Sequence, residues 1–161
     1  MINGIYKLLK STTCYSALLF FSCHNIYANS NALNAQMYVF QIIDPAKNIK
    51  KQLKATDQVK PNHVLEYRVD YSNNSANSLK NLKLNLPLPN SVSYIGQSYP
   101  KDTYASLDGK IFAKVPLTRV ENGKKVNVPL REYRVLQWNV SELKPKQKIS
   151  VSAQVRVNAS E

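Results

Sequence analysis

The chain has 161 residues, room for one ordinary domain of about 100–150 residues and a short additional segment. An apolar content of 43% lets it bury a real core. Both cysteines, Cys14 and Cys23, precede the expected domain, which excludes a small scaffold held together by disulfides. The formal charge of +12 favours anionic neighbours such as lipopolysaccharide, phospholipid head groups or acidic glycans, although a solvated lysine-rich surface is the simpler explanation.

Residues 1–28 have the features of a secretory signal peptide. Lys7 and Lys10 form a positive start, and residues 12–23 form an apolar stretch that is shorter than the roughly 20 residues needed to span a bilayer. We expect cleavage after Ala28, with Ser22 as the alternative; Cys23 raises lipidation as a further alternative. The chain is therefore predicted to be exported to the periplasm or cell surface, with no transmembrane segment after cleavage.

A polar segment at residues 29–36 is expected to be a flexible lead-in, and beyond it the chain alternates with the period of two that is typical of strands. The first five predicted strands lie at residues 37–43, 49–55, 64–71, 82–86 and 92–99. The second of them is expected at a sheet edge, because its lysines discourage edge pairing. Further along, Asp108-Gly109 and Asn122-Gly123 predict hairpin turns.

The last third of the chain has the most regular pattern. Leu136, Trp138 and Val140 share one face, and residues 149–157 place five apolar side chains on one face. A slip of one residue would turn all five to water, so the register is well specified. We expect Trp138 at the centre of the core. Seven or eight short strands without helical spacing favour an immunoglobulin-like antiparallel β-sandwich over residues 37–158, with a closed barrel as the alternative.

Several motifs in a fixed order resemble a known family. In chain order they are Pro61-Asn62, the strand at 65–75, the leucine strand at 82–89, Asp108-Gly109, the segment from Leu130 to Trp138, Pro145-Lys146 and the closing strand to Val157. This order resembles the bacterial conserved-repeat family called domain of unknown function 11, which implies an exported immunoglobulin-like sandwich over about residues 37–158 and no catalytic residue. The family usually has Pro-Gly where this chain has Asn62 and Lys146, and Asn adopts a positive φ more readily than Lys.

The expected domain contains no pattern typical of an enzyme. Its single histidine, His63, sits beside a turn, and there is no cysteine, Gly-x-Ser-x-Gly elbow or phosphate loop. One histidine without cysteine disfavours zinc. We therefore predict that the chain is not an enzyme and has no catalytic, cofactor-binding or metal-binding residue and no cofactor.

Oxygen-bearing side chains allow two weaker hypotheses. Calcium ligands are conceivable in two sets, namely Asp70 with Asn73 and Asn74, and Asp102 with Asp108. Neither set has EF-hand spacing, and turn formation explains both. Paired carboxylates for glycoside hydrolysis cannot be assigned, because the glutamates all occupy positions where a solvent-facing residue is expected. These glutamates are Glu66, Glu121, Glu132 and Glu142.

Lysines form three clusters in the sequence. They are Lys47, Lys50, Lys51 and Lys54; Lys124 and Lys125; and Lys144, Lys146 and Lys148. If the loops at one end of the domain gather the last two clusters, an anionic ligand is expected to dock there. A nucleic-acid partner is not expected, because the tyrosines mostly fall on core-facing positions instead of offering stacking surfaces beside the lysines.

These features lead to three functional hypotheses. The first is a non-enzymatic structural or binding module of the bacterial envelope, whose loops or exposed sheet edge contact an anionic envelope component or another envelope protein. The alternative is an accessory or chaperone-like subunit that pairs with a partner by β-strand addition, which a lead-in at residues 29–36 would permit. An unrecognised hydrolase is the third. The sequence predicts no particular oligomeric state.

Overall fold

The computed structural model describes residues 32–159. The expected signal peptide, both cysteines and the first residues of the expected lead-in lie outside this range. Within it, none of the helical segments has the length and apolar content required to cross a membrane.

The described residues form strands joined by turns, with one short 3₁₀ helix at Leu130–Glu132 and no α-helix. The strands are β1 (Leu33–Asp44), β2 (Ile49–Gln52), β3 (Val64–Asn73), β4 (Leu79–Pro87), β5 (Val92–Tyr99), β6 (Tyr104–Ser106), β7 (Ala113–Lys114), β8 (Thr118–Glu121), β9 (Lys124–Asn127), β10 (Val135–Leu143) and β11 (Lys148–Val157). This exceeds the seven or eight expected, because strands as short as β6 and β7 are too brief to show an alternating pattern.

All strand pairs are antiparallel, and two sheets pack face to face. One sheet has the order β2-β1-β3-β11-β5, and the other has the order β4-β10-β6-β7. Strands β8 and β9 form a separate two-stranded ribbon. Both sheets end in edge strands within the described residues, so the prediction of an all-β sandwich is confirmed and the closed barrel is not.

The alternation read from the sequence places the core where expected. In β3, Leu65, Tyr67 and Val69 are buried, and in β11 Val151 and Val155 are fully buried beside them. Each large side chain removed from water in this way contributes roughly 1.5–3 kcal/mol. The register of β3 against β11 is therefore fixed by their shared apolar face.

Trp138 lies in the core, as predicted. It is 2% exposed in β10, and its indole Nε1 donates a hydrogen bond to the carbonyl oxygen of Pro100 (2.8 Å). A second bond links the sheets, since the Tyr71 hydroxyl donates to the carbonyl oxygen of Asn85 in β4 (3.1 Å). Both buried aromatic residues thus satisfy their polar atoms while filling the space between the sheets.

The prediction of a flexible lead-in is wrong for residues 33–36. These residues begin β1 and pair with β3, with Leu33 opposite Asn73 and Gln36 opposite Asp70. The backbone bonds of the sheet, which need no alternating side chains, order a segment whose polar composition gave no strand signal. Residues 29–31 lie outside the described range.

The turns follow the local chemistry of their residues. Asn122 and Gly123 both have positive φ, 51° and 75°, and close the hairpin between β8 and β9 as predicted. Asp108 and Gly109 lie in the predicted hairpin between β6 and β7, although its second strand begins at Ala113 instead of Ile111.

The two turns at which the family usually has Pro-Gly also have positive φ here. Asn62 has a φ of 69° and Lys146 a φ of 62°. Lys146 is held in this conformation by two bonds, since its N–H donates to the carbonyl of Asn73 (2.9 Å) and its Nζ to the carbonyl of Asn74 (2.7 Å).

Candidate functional site

The outer face of the five-stranded sheet, which points away from the second sheet, carries a buried carboxylate. Glu66 was expected to face solvent, yet it is only 4% exposed, and that expectation is wrong. Side chains from two strands cover it: Lys50 Nζ lies 2.6 Å from one carboxylate oxygen and Arg68 Nη2 lies 2.6 Å from the other. The Arg68 guanidinium also sits 4.7 Å from the centre of the Phe40 ring, a cation–π contact that fixes its position.

The two cations keep Glu66 ionised. Desolvation is the largest single influence and raises the pKa of Glu66, but the hydrogen bonds and charges of Lys50 and Arg68 together outweigh it, so the pKa lies below its ordinary value of 4.5. Each of the two carboxylate oxygens accepts a bond from one cation. The trio carries a net positive charge.

A break in β5 opens a cleft beside this trio. The register of β5 against β11 shifts between the pairs Ala153–Ser98 and Val155–Tyr94, and Gly96 occupies the break with a φ of +84°. A Cβ atom at Gly96 would lie 3.2 Å from Leu130 Cδ1, so glycine also lets the 3₁₀ helix pack closely. The bulge was not predicted, although an isolated glycine inside a strand pattern, as at Gly96, is a known sign of one.

The cleft has a volume of about 630 Å³ and polar walls. Gln97, Gln154 and Ser152 supply amide and hydroxyl groups, Lys101 supplies a cation, and Glu66 is the acidic residue that lines it within residues 32–159. A second hollow of about 350 Å³ continues across the outer face, lined by Lys50, Arg68 and Ser150 and sharing Glu66, Ser152 and Tyr99 with the first. The two hollows form one polar surface, which we call the outer-face cleft.

An aromatic ring stands at the junction of the two hollows. Tyr99 is 67% exposed, so its ring is accessible to a ligand. Tyr94, which also lines the larger hollow, is 3% exposed, and burial raises its pKa above the ordinary value of 10.0. An exposed ring beside amides, hydroxyls and cations suits the binding of a polar ligand with several hydrogen-bonding groups.

The two candidate calcium sets are not brought together. Asn73 is fully buried, and its amide donates to the carbonyls of Asn77 and Leu143, while Asp70 lies three positions earlier, on the other face of β3. Asp102 forms an ion pair with Lys114 (2.8 Å). Within residues 32–159, no three His, Cys, Asp or Glu side chains are grouped to hold a metal ion.

Asp108 serves its turn. Its carboxylate accepts the backbone N–H groups of Lys110 (2.8 Å) and Ile111 (3.1 Å) and the hydroxyl of Ser106 (2.9 Å). The two backbone bonds and the hydroxyl bond lower the pKa of Asp108 to about 2. This is the turn-forming role that the sequence suggested.

His63 lies in the turn before β3, where its Nδ1 accepts the backbone N–H of Lys60 (3.3 Å). The Gln41 side-chain amide is also within hydrogen-bond distance of Nδ1 (3.1 Å). The histidine is therefore occupied in joining β1 to the turn.

The lysine clusters do not gather at one end of the sandwich. Lys124 and Lys125 belong to the β8–β9 ribbon, whose base is tied to Tyr133 just before β10 begins, whereas Lys144, Lys146 and Lys148 follow the end of β10. The nine residues of β10 separate the two regions by roughly 30 Å. In the first cluster, three of the four lysines form ion pairs, with Asp44, Glu66 and Asp57.

A second concave surface is apolar and was not predicted. A groove of about 340 Å³ lies between the β6–β7 loop and the base of the ribbon, lined by Leu107, Ile111, Pro116 and Leu117. Ile111 is 77% exposed at its rim. The sequence did indicate an exposed apolar surface here, because Leu107 and Ile111 flank a polar turn.

Taken together, the fold and the cleft define a β-sandwich with a polar, cation-lined outer surface. Comparison with models of known protein families, with curated proteins and with solved structures finds no match to this chain. The resemblance to the conserved-repeat family stays a prediction.

Proposed function

We propose that this chain is an exported, non-enzymatic binding module of the bacterial envelope whose outer-face cleft binds an anionic glycan or another anionic envelope component. The observation that carries the proposal is the position of Tyr99, exposed between two polar hollows and flanked by amides and cations. Such a ring can lie against the face of a sugar, while Gln97 and Gln154 bind its hydroxyl groups.

Charge favours an anionic ligand over a neutral one. Lys101 lines the cleft, and Lys148 and Arg156 lie on the outer-face side of β11. Within residues 32–159 none of these three side chains forms an ion pair. Lys50 and Arg68 add two charges against the single charge of Glu66. On the outer face these five cations outnumber the acidic residues Glu66 and Asp70, and this charge excess favours a ligand that bears phosphate or carboxylate groups.

The test is a binding titration of the purified protein with deacylated lipopolysaccharide, using neutral dextran as the uncharged probe. Tyr99→Ala and Lys101→Glu are each expected to weaken binding about tenfold, or ~1.4 kcal/mol. Lys83→Glu, which makes the same charge change at an exposed position of β4, serves as the matched control and is expected to leave affinity within about twofold.

Salt separates the electrostatic proposal from its alternatives. Affinity is expected to fall as ionic strength rises, because exposed charges are screened beyond roughly 8 Å at 0.15 M salt. Binding that is insensitive to salt, or that Lys83→Glu weakens as much as Lys101→Glu, would contradict a specific anionic site in the cleft.

Export is tested by the mass of the mature N-terminus. A protein purified from the envelope is expected to start at Asn29, after cleavage at Ala28. A start at Cys23 with an added lipid mass would instead show a lipoprotein, and an unprocessed Met1 would contradict export by a cleaved signal.

A further inference from the structure

Strand β1 is covered by β2 over only part of its length. β2 pairs with β1 only from Val39 onward, where the Leu53 N–H donates to the Val39 carbonyl (2.8 Å) and Gln52 pairs with Phe40. Residues 33–38 of β1 therefore have β3 on one side and, within residues 32–159, no strand on the other. We call this stretch the open edge.

The direction of its backbone groups follows from the ladder. The Val39 carbonyl points toward β2, and backbone groups alternate along a strand, so the N–H and C=O groups of Leu33, Ala35 and Met37 point outward. The Ala32 carbonyl fits this alternation, because it accepts from the Asn74 N–H on the opposite side (2.7 Å). The open edge thus offers a regular row of donors and acceptors that only another strand matches fully.

The same residues lie on the inner face of the sheet. Met37 is opposite Val69, and Ala35 is opposite Tyr71. Val69 and Tyr71 are 6% and 8% exposed, whereas Met37 is 48% exposed. The apolar layer therefore extends to the open edge but is exposed to solvent there. At this edge the outward backbone groups lack a hydrogen-bonded strand, and the Met37 side chain lacks a covering neighbour.

The edge strands β4, β2 and β5 carry features that discourage pairing. β4 presents Lys83 at its middle, has Asn81 at a φ of 54° and ends at Pro87. β2 carries Lys50 and Lys51, and β5 is interrupted at Gly96. Natural sheets block association at their edges with charged residues, proline and register shifts. The open edge has none of these three features.

We propose that the open edge pairs antiparallel with the open edge of a second copy of this chain, about a two-fold axis at Ala35. This register places Ala35 opposite Ala35 and Leu33 opposite the second copy's Met37, so outward backbone groups meet outward backbone groups and each Met37 is covered. The inference goes beyond the proposed function, because the outer-face cleft lies on a face of the sheet, and pairing along the open edge leaves that face accessible.

The test is the mass of the purified protein in solution, measured by sedimentation over a range of concentrations. The wild type is expected to be a dimer of micromolar affinity, since pairing one short edge buries less than about 1,200 Å². Ala35→Pro removes an outward N–H without breaking a β1–β3 bond, and Met37→Lys places two charges near the axis. Both variants are expected to be monomers with an unchanged circular-dichroism spectrum.

Lys83→Pro is the matched control. The Leu88 N–H donates to the Arg134 carbonyl, so by alternation the N–H of Lys83 points away from β10, as that of Ala35 points away from β3. This variant is expected to remain a dimer.

Three outcomes would overturn the proposal: a wild type that stays monomeric at every concentration, a dimer that survives both substitutions, or a different protein bound in stoichiometric amount at this edge. Hydrogen exchange of the wild type tests the site even if the variants fold poorly. The amides of Leu33, Ala35 and Met37 are expected to slow as concentration rises, and a dimer in which they exchange as fast as in the monomer contradicts this edge.

Discussion

Leu65 and Glu66 are neighbours in β3 and are buried to nearly the same extent, 3% and 4% exposed, but for opposite reasons. Leu65 faces the second sheet and is covered by apolar side chains of the core. Glu66 faces the other way and is covered by the cations that neutralise it. The inner face therefore supplies stability through apolar area, and the outer face arranges charge at a surface that a ligand can still reach.

Of the substitutions compared here, one on the inner face is expected to lower the free energy of unfolding the most. Leu65→Ala should lower the free energy of unfolding by about 2–5 kcal/mol, because it leaves a cavity among buried side chains. Denaturant unfolding followed by Trp138 fluorescence measures it, with Leu107→Ala at a 40% exposed position as the control. A loss below that of the control would show that the inner face is not the core.

Glu66→Gln should have a smaller effect of about 1–3 kcal/mol, because Lys50 and Arg68 can still reach water when the carboxylate is gone. The contribution of Glu66 to the free energy of unfolding is recognised by its dependence on pH. The folded pKa of Glu66 is depressed, so its contribution is present above about pH 4.5 and is lost as the pH falls through the folded pKa.

Unfolding measured between neutral pH and pH 3 should therefore show a shallower loss of stability in Glu66→Gln than in the wild type. Glu142→Gln, at an exposed position of β10, is the control and should keep the wild-type slope. Equal slopes in all three proteins would mean that the ion-paired trio contributes nothing to stability.

Gly96→Ala should cost about 1–2 kcal/mol, since its positive φ is strained for any residue with a Cβ. Gly123→Ala has a similar φ of 75° but nothing within 4 Å of its added Cβ, which makes it the matched control for crowding. Only Gly96→Ala should also weaken ligand binding, because its break in β5 shapes the cleft. If both variants bind the ligand equally well, the break in β5 at Gly96 does not shape the binding site.

The inner face was predictable and the outer face was not, for a physical reason. Alternation in residues 64–71 and 149–157 fixes which side chains point inward, and the buried positions of Val69, Val151 and Trp138 follow. The same alternation assigned Glu66 to solvent. Its burial depends on Lys50, sixteen residues earlier on another strand, and no local pattern shows which strands become neighbours.

Two other features were hidden for related reasons. Residues 33–36 have no alternating pattern, and they become part of β1 only because β3 offers them a complete ladder of backbone bonds. The cleft depends on a single glycine within β5, at a shift in register against β11 that depends on how the two strands pair. Short strands and edge positions are thus the places where pairing between distant segments outweighs local preference.

The most direct test is a carbon-detected NMR titration of the Glu66 carboxyl group in the folded protein. We expect its midpoint below the ordinary value of 4.5, and we expect Lys50→Met to move the midpoint upward by removing one of the two charges that hold it down. A midpoint at or above 4.5 in the wild type, unmoved by Lys50→Met, would contradict a carboxylate enclosed by cations on the outer face.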